Sequence, residues 1–257
     1  MSWDRPPTPA DWETLTATIK SSSAVLCVAH VSPDGDALGS AMAAALSMRQ
    51  VGIEAYVSFD EDPFTLPGSL AWLPGHELLR APADVPASVD MVVSFDASDL
   101  ARLGRLGEFA QGVEHFGAVD HHRSYTGFAS ISVVDVTAPA TAVLAMELTD
   151  RLDAELTRDI ATCIYAGLTT DTGSFRFTGT TAKTPYLAPR LHECGLAPDA
   201  IARAGFGTAS FEAAKLLGIA IDRAVLLTDA VGGNGLVWTA LTRSDREALG
   251  LPVDAAE

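Results

Sequence analysis

The chain is poor in cysteine, in positive charge and in long apolar runs, and each shortage excludes something. Three cysteines, Cys27, Cys163 and Cys194, stand among 257 residues. They have neither the paired spacing of a zinc site nor the density of a disulfide framework, so they read as reduced thiols of a cytoplasmic protein. No apolar run approaches the ~18 residues of a membrane span, and no signal peptide opens the chain, since residues 1–23 are polar and contain prolines. Lysine and arginine number 17 against 33 aspartate and glutamate, a formal net charge of −16. A groove for long duplex nucleic acid needs a basic stripe, which this balance argues against. A small phosphate-bearing substrate held through metal ions remains compatible with the acidity. There is also no G-x-S-x-G nucleophile elbow. The run Gly232-Gly233-Asn234-Gly235 lacks the Walker spacing and the following Lys-Ser/Thr, so it reads as a hairpin turn and not a phosphate loop.

What is present is a globular composition, 48% hydrophobic and 19% charged, long enough for one large domain or two smaller ones. Ala24–Ala29 is wholly apolar and reads as a strand buried on both faces. Leu38, Ala41, Met42, Ala45 and Leu46 then recur at helical spacing, with Gly52 as C-cap. Stretches 53–59, 89–95, 116–119 and 128–134 read as further strands. Residues 11–20, 143–152 and 160–168 read as helices. This alternation predicts an α/β domain with a mostly parallel central sheet flanked by helices. Helices from Thr184-Pro185 to Gly195 and from Ser210 to Arg223 follow, then a hairpin of Val225–Leu227 and Leu236–Leu241. The expected organisation is a catalytic domain over 1–190, a helical linker over 191–223, and over 224–257 the beginning of a second α/β domain, for substrate binding. That last piece is too small to fold alone. The apolar helices around 139–170 offer a face for a homodimer.

The stretch His30-Val31-Ser32-Pro33-Asp34-Gly35-Asp36 places an imidazole and two carboxylates on one turn at the end of the first strand. Such ligands suit Mn, Mg or Zn and not a thiol-seeking metal. Asp96 follows the third strand, and Asp120-His121-His122 follows the fourth. In an open α/β sheet the ligand crevice lies outside the carboxyl ends of the strands, so these residues should converge. Asp171 lies four residues after Gly167 and continues the inward stripe of its helix. A carboxylate there is costly unless paired or metal-bound, a hydrogen bond to Thr172 or Ser174 being the alternative. His76, His115 and His192 read as structural or surface residues. Arg123 and Arg176 adjoin the motifs, as phosphate binders or as ion-pair partners.

Taken in order, His30-x-Ser-Pro-Asp34-Gly-Asp36-Ala-Leu-Gly-Ser40, Asp96, Asp120-His121-His122 and Thr170-Asp171-Thr-Gly-Ser-Phe175 resemble the motifs of the DHH phosphoesterase family. Within it, the likeness is to the oligoribonuclease (nanoRNase) and 3′-phosphoadenosine 5′-phosphate phosphatase type, over about residues 20–240. The resemblance implies a site for two divalent ions, Mn²⁺ in first place and Mg²⁺ as the alternative. By motif position, His30, Asp34 and Asp96 would hold one ion. Asp36, Asp96, His121 and Asp171 would hold the other, with Asp96 shared. Asp120 would orient a histidine ring, and His122 would contact the scissile phosphate. Four aspartates offset the charge of two divalent ions. Ions ~3.5–4 Å apart lower the pKa of a shared water toward ~7, so no protein nucleophile is required.

The implied activity is hydrolysis of very short oligonucleotides (nanoRNA, pApA, with cyclic di-AMP as a related substrate) and of 3′-phosphoadenosine 5′-phosphate. An inorganic pyrophosphatase would share the metal motifs, but its Arg/Lys-rich C-terminal motif is missing. A non-catalytic nucleotide-binding domain is the other alternative. Ser32 and Tyr125 stand where such relatives often have Asn, and their C-terminal Gly-Gly-Gly-His loop is absent here. The expectation is a chain lacking most of that domain, with the metal site intact and substrate binding and turnover impaired.

Overall fold

Strand β1 (Ala24–Val28) is buried at all five positions. Its side chains alternate between two cores: Val25 and Cys27 enter one, Ala24, Leu26 and Val28 the other. Both faces must be apolar because helices cover both, which makes this a central strand of a parallel sheet. The computed structural model describes residues 6–177, 180, 187–206 and 210–251. Strands β2 (Glu54–Ser58), β3 (Met91–Phe95), β4 (His115–Asp120) and β5 (Ile131–Val134) complete a five-stranded sheet of order β2-β1-β3-β4-β5, parallel throughout. This is the α/β architecture that the alternation predicts.

Helices α1 (Pro9–Ser21), α2 (Gly35–Gln50), α4 (Thr141–Arg151) and α5 (Arg158–Asp171) share the larger core, and α3 (Arg105–Gly112) packs in the smaller one. The helix after β1 and the helix after β3 thus lie on opposite faces. The strand order reverses between β1 and β3, which opens a crevice outside their carboxyl ends. His30 and Asp96 flank that point. Helices α2 and α5 meet backbone to backbone: a Cβ added at Gly39 would stand 2.5 Å from the Cys163 carbonyl oxygen. Between α2 and α4 the hydroxyls of Ser47 and Thr149 pair at 2.9 Å in the core.

The chain divides into two compact units, Met1–Ile201 and Ala202–Glu257. The start of the helix expected from Thr184-Pro185 lies outside the described residues. The helix is seen as α6 (Leu187–Glu193), with Gly195 beyond it at φ +76°. Leu191, Leu196 and Ile201 are buried in the larger core, and α7 (Pro198–Phe206) crosses the division. In the second unit, Ser210 caps α8 (Phe211–Asp222) through the Ala213 amide. Strands β6 (Val225–Leu227) and β7 (Leu236–Trp238) pair antiparallel, so the second strand is shorter than the pattern suggested. Gly232, Gly233 and Gly235 between them all take positive φ, as a glycine-rich turn requires. Among the described residues, no helix is long and apolar enough to cross a membrane.

Candidate metal centre

The first carboxylates are set by the start of α2. Asp34 is its N-cap, and its Oδ1 accepts from the amides of Asp36 and Ala37 at 3.0 and 2.9 Å. That satisfies two otherwise unpaired helix donors and fixes the loop. Asp36, in the first turn of the helix, is fully buried. Its two oxygens accept from the amides of Thr141 and Ala142, at 2.6 and 2.8 Å, at the start of α4. The N-cap of α4 is Ala140, which makes no side-chain cap, so a carboxylate from α2 takes that role and meets the positive end of the helix. The Ser40 hydroxyl also reaches Asp36, at 3.3 Å.

Asp96 follows β3 at φ +60°, a left-handed conformation costly for a residue with a Cβ and typical of functional turns. It is 3% exposed, and the Thr141 hydroxyl donates to its Oδ1 at 2.7 Å. Thr141 therefore ties Asp36 and Asp96 together. The sequence pattern did not reveal this. A threonine at a helix start reads only as a local cap, whereas these contacts span 45 and 105 residues. Gly167 was legible only as part of the Asp171 stripe. A Cβ there would meet Asp36 Oδ1 at 2.6 Å and the Ala142 Cβ at 2.7 Å, so its lack of a side chain makes room for Asp36 and α4.

The histidines are held by their Nδ1 atoms. His30 Nδ1 donates to the Val31 carbonyl at 2.8 Å, which turns Nε2 toward Asp34 and Asp96, each 3.9 Å away. His121 Nδ1 donates to the Ala138 carbonyl at 3.1 Å. Its Nε2 is buried without a hydrogen bond and lies 3.1, 3.5 and 4.0 Å from oxygens of Asp171, Asp96 and Asp36. A neutral His121 would aim a lone pair at three carboxylates, so a proton or a cation must sit there.

Without an ion, the titration of the cluster reflects the same excess of negative charge. Burial opposes the charged form of His121, but the carboxylates of Asp171, Asp36 and Asp96 outweigh it and push the ring up to about 10. Burial, together with the neighbouring charge of Asp34, pushes Asp96 up to about 6 against the pull of His121. Burial, Asp96 and Asp171 hold Asp36 well above the usual carboxylate range. Ligand atoms of three sets each lie within 4.8 Å of one another: His30, Asp34 and Asp96; Asp36, His121 and Asp171; Asp96, His121 and His122. Imidazole nitrogens and carboxylate oxygens at this spacing fit divalent ions of the Mn²⁺ or Mg²⁺ kind.

Asp120 lies beneath the cluster. Its Oδ1 accepts from the amides of His121 and His122 and pairs with His122 Nδ1 at 2.8 Å. The aspartate therefore orients the His122 ring, and the Ala138 carbonyl orients the His121 ring. The hydrogen bond that His122 donates to Asp120 raises the His122 pKa, against the effect of burial.

A cavity of about 310 Å³ opens here, lined by His30, Asp34, Asp96, Asp171 and His122, and by two residues that no motif indicated, Ser98 and Arg102. Arg123 and Arg176 do not line it. The Arg176 Nε donates to the Gly173 carbonyl at 2.6 Å. His76, His115 and His192 fall elsewhere, in a short 3-10 turn, at the start of β4 and in α6.

The chain is 33% identical over 190 residues to the bifunctional oligoribonuclease and PAP phosphatase NrnA of Thermus thermophilus, covering 72% of this chain and 56% of that protein. It is 26% identical to the probable bifunctional oligoribonuclease and PAP phosphatase NrnA of Streptococcus mutans, covering 70% and 56%. The chain thus spans little more than half the length of these relatives. Its fold matches the crystal structure of an exopolyphosphatase-related protein from Bacteroides fragilis with a TM-score of 0.87 at 22% identity, over 98% of this chain and 75% of that one. A putative family II inorganic pyrophosphatase from Methanococcus jannaschii matches with a TM-score of 0.52 at 16% identity, over 87% and 74%. At such identities these two likenesses concern the fold alone. The family described as DHH family, N-terminal domain, matches residues 24–168, from β1 into α5. That span is more than half of the chain and holds every residue gathered at the centre except Asp171, and on this ground the chain belongs to the DHH family.

Proposed function

We propose that the chain is a metal-dependent phosphoesterase that hydrolyses very short oligonucleotides (nanoRNA, pApA, cyclic di-AMP) or 3′-phosphoadenosine 5′-phosphate, with water as the nucleophile. The observation that carries this reading is the buried His121 Nε2, aimed without a hydrogen bond into Asp36, Asp96 and Asp171. The relatives in Thermus thermophilus and Streptococcus mutans are named for oligoribonuclease and PAP phosphatase activity, which supports the short-oligonucleotide and PAP part of this reading, while pApA and cyclic di-AMP follow from the motif resemblance.

In this reading His30, Asp34 and Asp96 hold one ion, and Asp36, Asp96, His121 and Asp171 hold a second, Mn²⁺ in first place and Mg²⁺ as the alternative. Such ions, when bound, polarise phosphoryl oxygens and lower the pKa of water. The chain's residues prepare the site. The Thr141 hydroxyl sets the orientation of the Asp96 carboxylate, and the Ala138 carbonyl sets the His121 tautomer. Asp120 engages His122 Nδ1, so Nε2 is the atom left to meet the scissile phosphate. Its raised pKa favours the cationic ring, which binds a phosphate oxygen through a charge-assisted hydrogen bond.

The test is Mn²⁺-dependent hydrolysis of pApA beside a chelator control and Asp96→Ala. Turnover that disappears in both supports the reading, and turnover that persists in excess chelator overturns it. Calorimetry should find two Mn²⁺ per chain; a wild-type chain that binds none would overturn the ligand assignment.

A further inference from the structure

We propose that Arg102 binds a phosphate of the substrate other than the one being cut, and so selects short substrates that carry two phosphates. The inference rests on the phosphoesterase reading above and extends it to a residue that no motif contains.

Arg102 and Ser98 stand on the segment that follows Asp96, and both line the acidic cavity. This segment ends in a 3-10 turn, Leu100–Leu103, that is pinned from three sides. The Asp99 carboxylate accepts from the amides of Ala101 and Arg102 at 2.9 and 3.2 Å. The Arg102 carbonyl accepts from the Val31 amide at 2.8 Å, beside His30, and the Ser98 carbonyl accepts from the Thr126 amide at 2.9 Å. The backbone from which Arg102 projects is therefore fixed against the first motif, while the residue itself is exposed.

The side chain has an unusual lack of partners for its setting. Arg105, Arg151 and Arg190 each pair with a carboxylate, of Asp60, Glu147 and Asp150 respectively. Among the described residues the Arg102 guanidinium makes no ion pair and no side-chain hydrogen bond, although Asp34, Asp96 and Asp171 line the same cavity. Its fork of donors is thus free for a ligand, and that fork matches two phosphate oxygens at once. Among the described residues, Arg102 is also the only lysine or arginine that lines the cavity.

In the proposed reaction the scissile phosphate already has partners in the ions and His122. A second phosphate, on a chain of net charge −16, would meet mainly repulsion. Arg102 is the permanent cation placed to receive it. A 5′-phosphorylated dinucleotide and 3′-phosphoadenosine 5′-phosphate both supply such a group.

The experiment compares pApA with ApA, which lacks the terminal phosphate, on the wild-type chain, Arg102→Ala and Arg102→Lys with Mn²⁺. Arg102→Ala should raise KM for pApA roughly 10- to 100-fold, the size of one or two hydrogen bonds to a charged group. It should leave kcat, the ApA kinetics and the Mn²⁺ stoichiometry unchanged, and Arg102→Lys should recover part of the loss. Unchanged pApA kinetics in Arg102→Ala, or an equal loss on both substrates, overturns the proposal and leaves the phosphoesterase reading intact. A wild-type chain that cleaves neither substrate counts against the phosphoesterase reading instead. Calorimetry then decides on Arg102 by comparing 3′-phosphoadenosine 5′-phosphate with AMP on the Mn²⁺-loaded chains. A preference for the bisphosphate that is lost in Arg102→Ala supports the assignment, and no preference in the wild type overturns it.

Discussion

Replacing Gly167 by alanine tests whether the close approach of α2, α4 and α5 builds the centre. In an ordinary helix this change is favourable by about 1 kcal/mol, because alanine has the higher helix propensity. Here the new Cβ would lie 2.6 Å from Asp36 Oδ1, 2.7 Å from the Ala142 Cβ and 3.0 Å from the Asp36 Cα. None of these is the loose end of a flexible side chain: the Asp36 carboxylate is clamped by two amides, and Ala142 lies in the first turn of α4. Overpacking of this kind costs ~1–3 kcal/mol. Weakening a hydrogen bond to a buried carboxylate costs ~1.5–3 kcal/mol more. With the propensity gain subtracted, the expected net loss is roughly 3 kcal/mol.

Urea unfolding in the presence of chelator measures that loss, and Mn²⁺ calorimetry should show affinity at least ~10-fold weaker because Asp36 is displaced. Gly218→Ala provides the contrast. In α8 an added methyl meets nothing within 4 Å, and Mn²⁺ affinity should not change. A Gly167→Ala chain as stable as the wild type, with unchanged Mn²⁺ affinity, would refute the close-approach argument.

Thr141→Val keeps the shape of the side chain but removes the donor to Asp96. Stability should fall by ~1–2 kcal/mol, and Mn²⁺ affinity should fall without a change in stoichiometry; full retention of both would show that the hydroxyl does not orient Asp96. In the chelated chain the raised pKa of Asp96 imposes no penalty below its unfolded value near 4 and a full one above about 6. The contribution of His121, raised to about 10, is fully present below about 6.5 and is lost as pH rises through 10. Both effects make the chelated chain less stable from about pH 5 upward, so its Tm should be higher near pH 5.5 than near pH 8.5, and a rise in Tm across that window would contradict the assignment. Because binding an ion must displace these protons, Mn²⁺ affinity should increase with pH. Calorimetry in buffers of different ionisation enthalpy should detect proton release at neutral pH, and zero release would exclude protonated ligands.

Much of the sheet was legible because β1 is wholly apolar and β3 is apolar but for Ser94, as strands covered on both faces tend to be. The positions of His30, Asp96 and Asp120 after or at the ends of their strands were legible for the same reason. Once the strands are parallel, their carboxyl ends share one edge of the sheet. Arg102 and Ser98 were not legible, since nothing local distinguishes an arginine that borders a cavity from one on an open surface. The pattern also leaves open which ring Asp120 orients. Both His121 and His122 are within reach along the chain, and the Ala138 carbonyl, 17 residues on, engages His121 and leaves His122 to the aspartate.

The sequence by itself determined the order of strands and helices and the chemistry placed at the strand ends. Apolar periodicity is a local property, and the ligand-type residues punctuate it. Only the tertiary structure decided how those residues meet. The reversal of strand order between β1 and β3 opens the crevice. The side-chain-free contacts at Gly39 and Gly167 let α2 and α5 approach closely enough for Asp36 to cap α4. The hydrogen bonds from α4 to Asp36 join residues 105 and 106 positions apart, and no local pattern encodes a distance between two helices so far apart in the sequence.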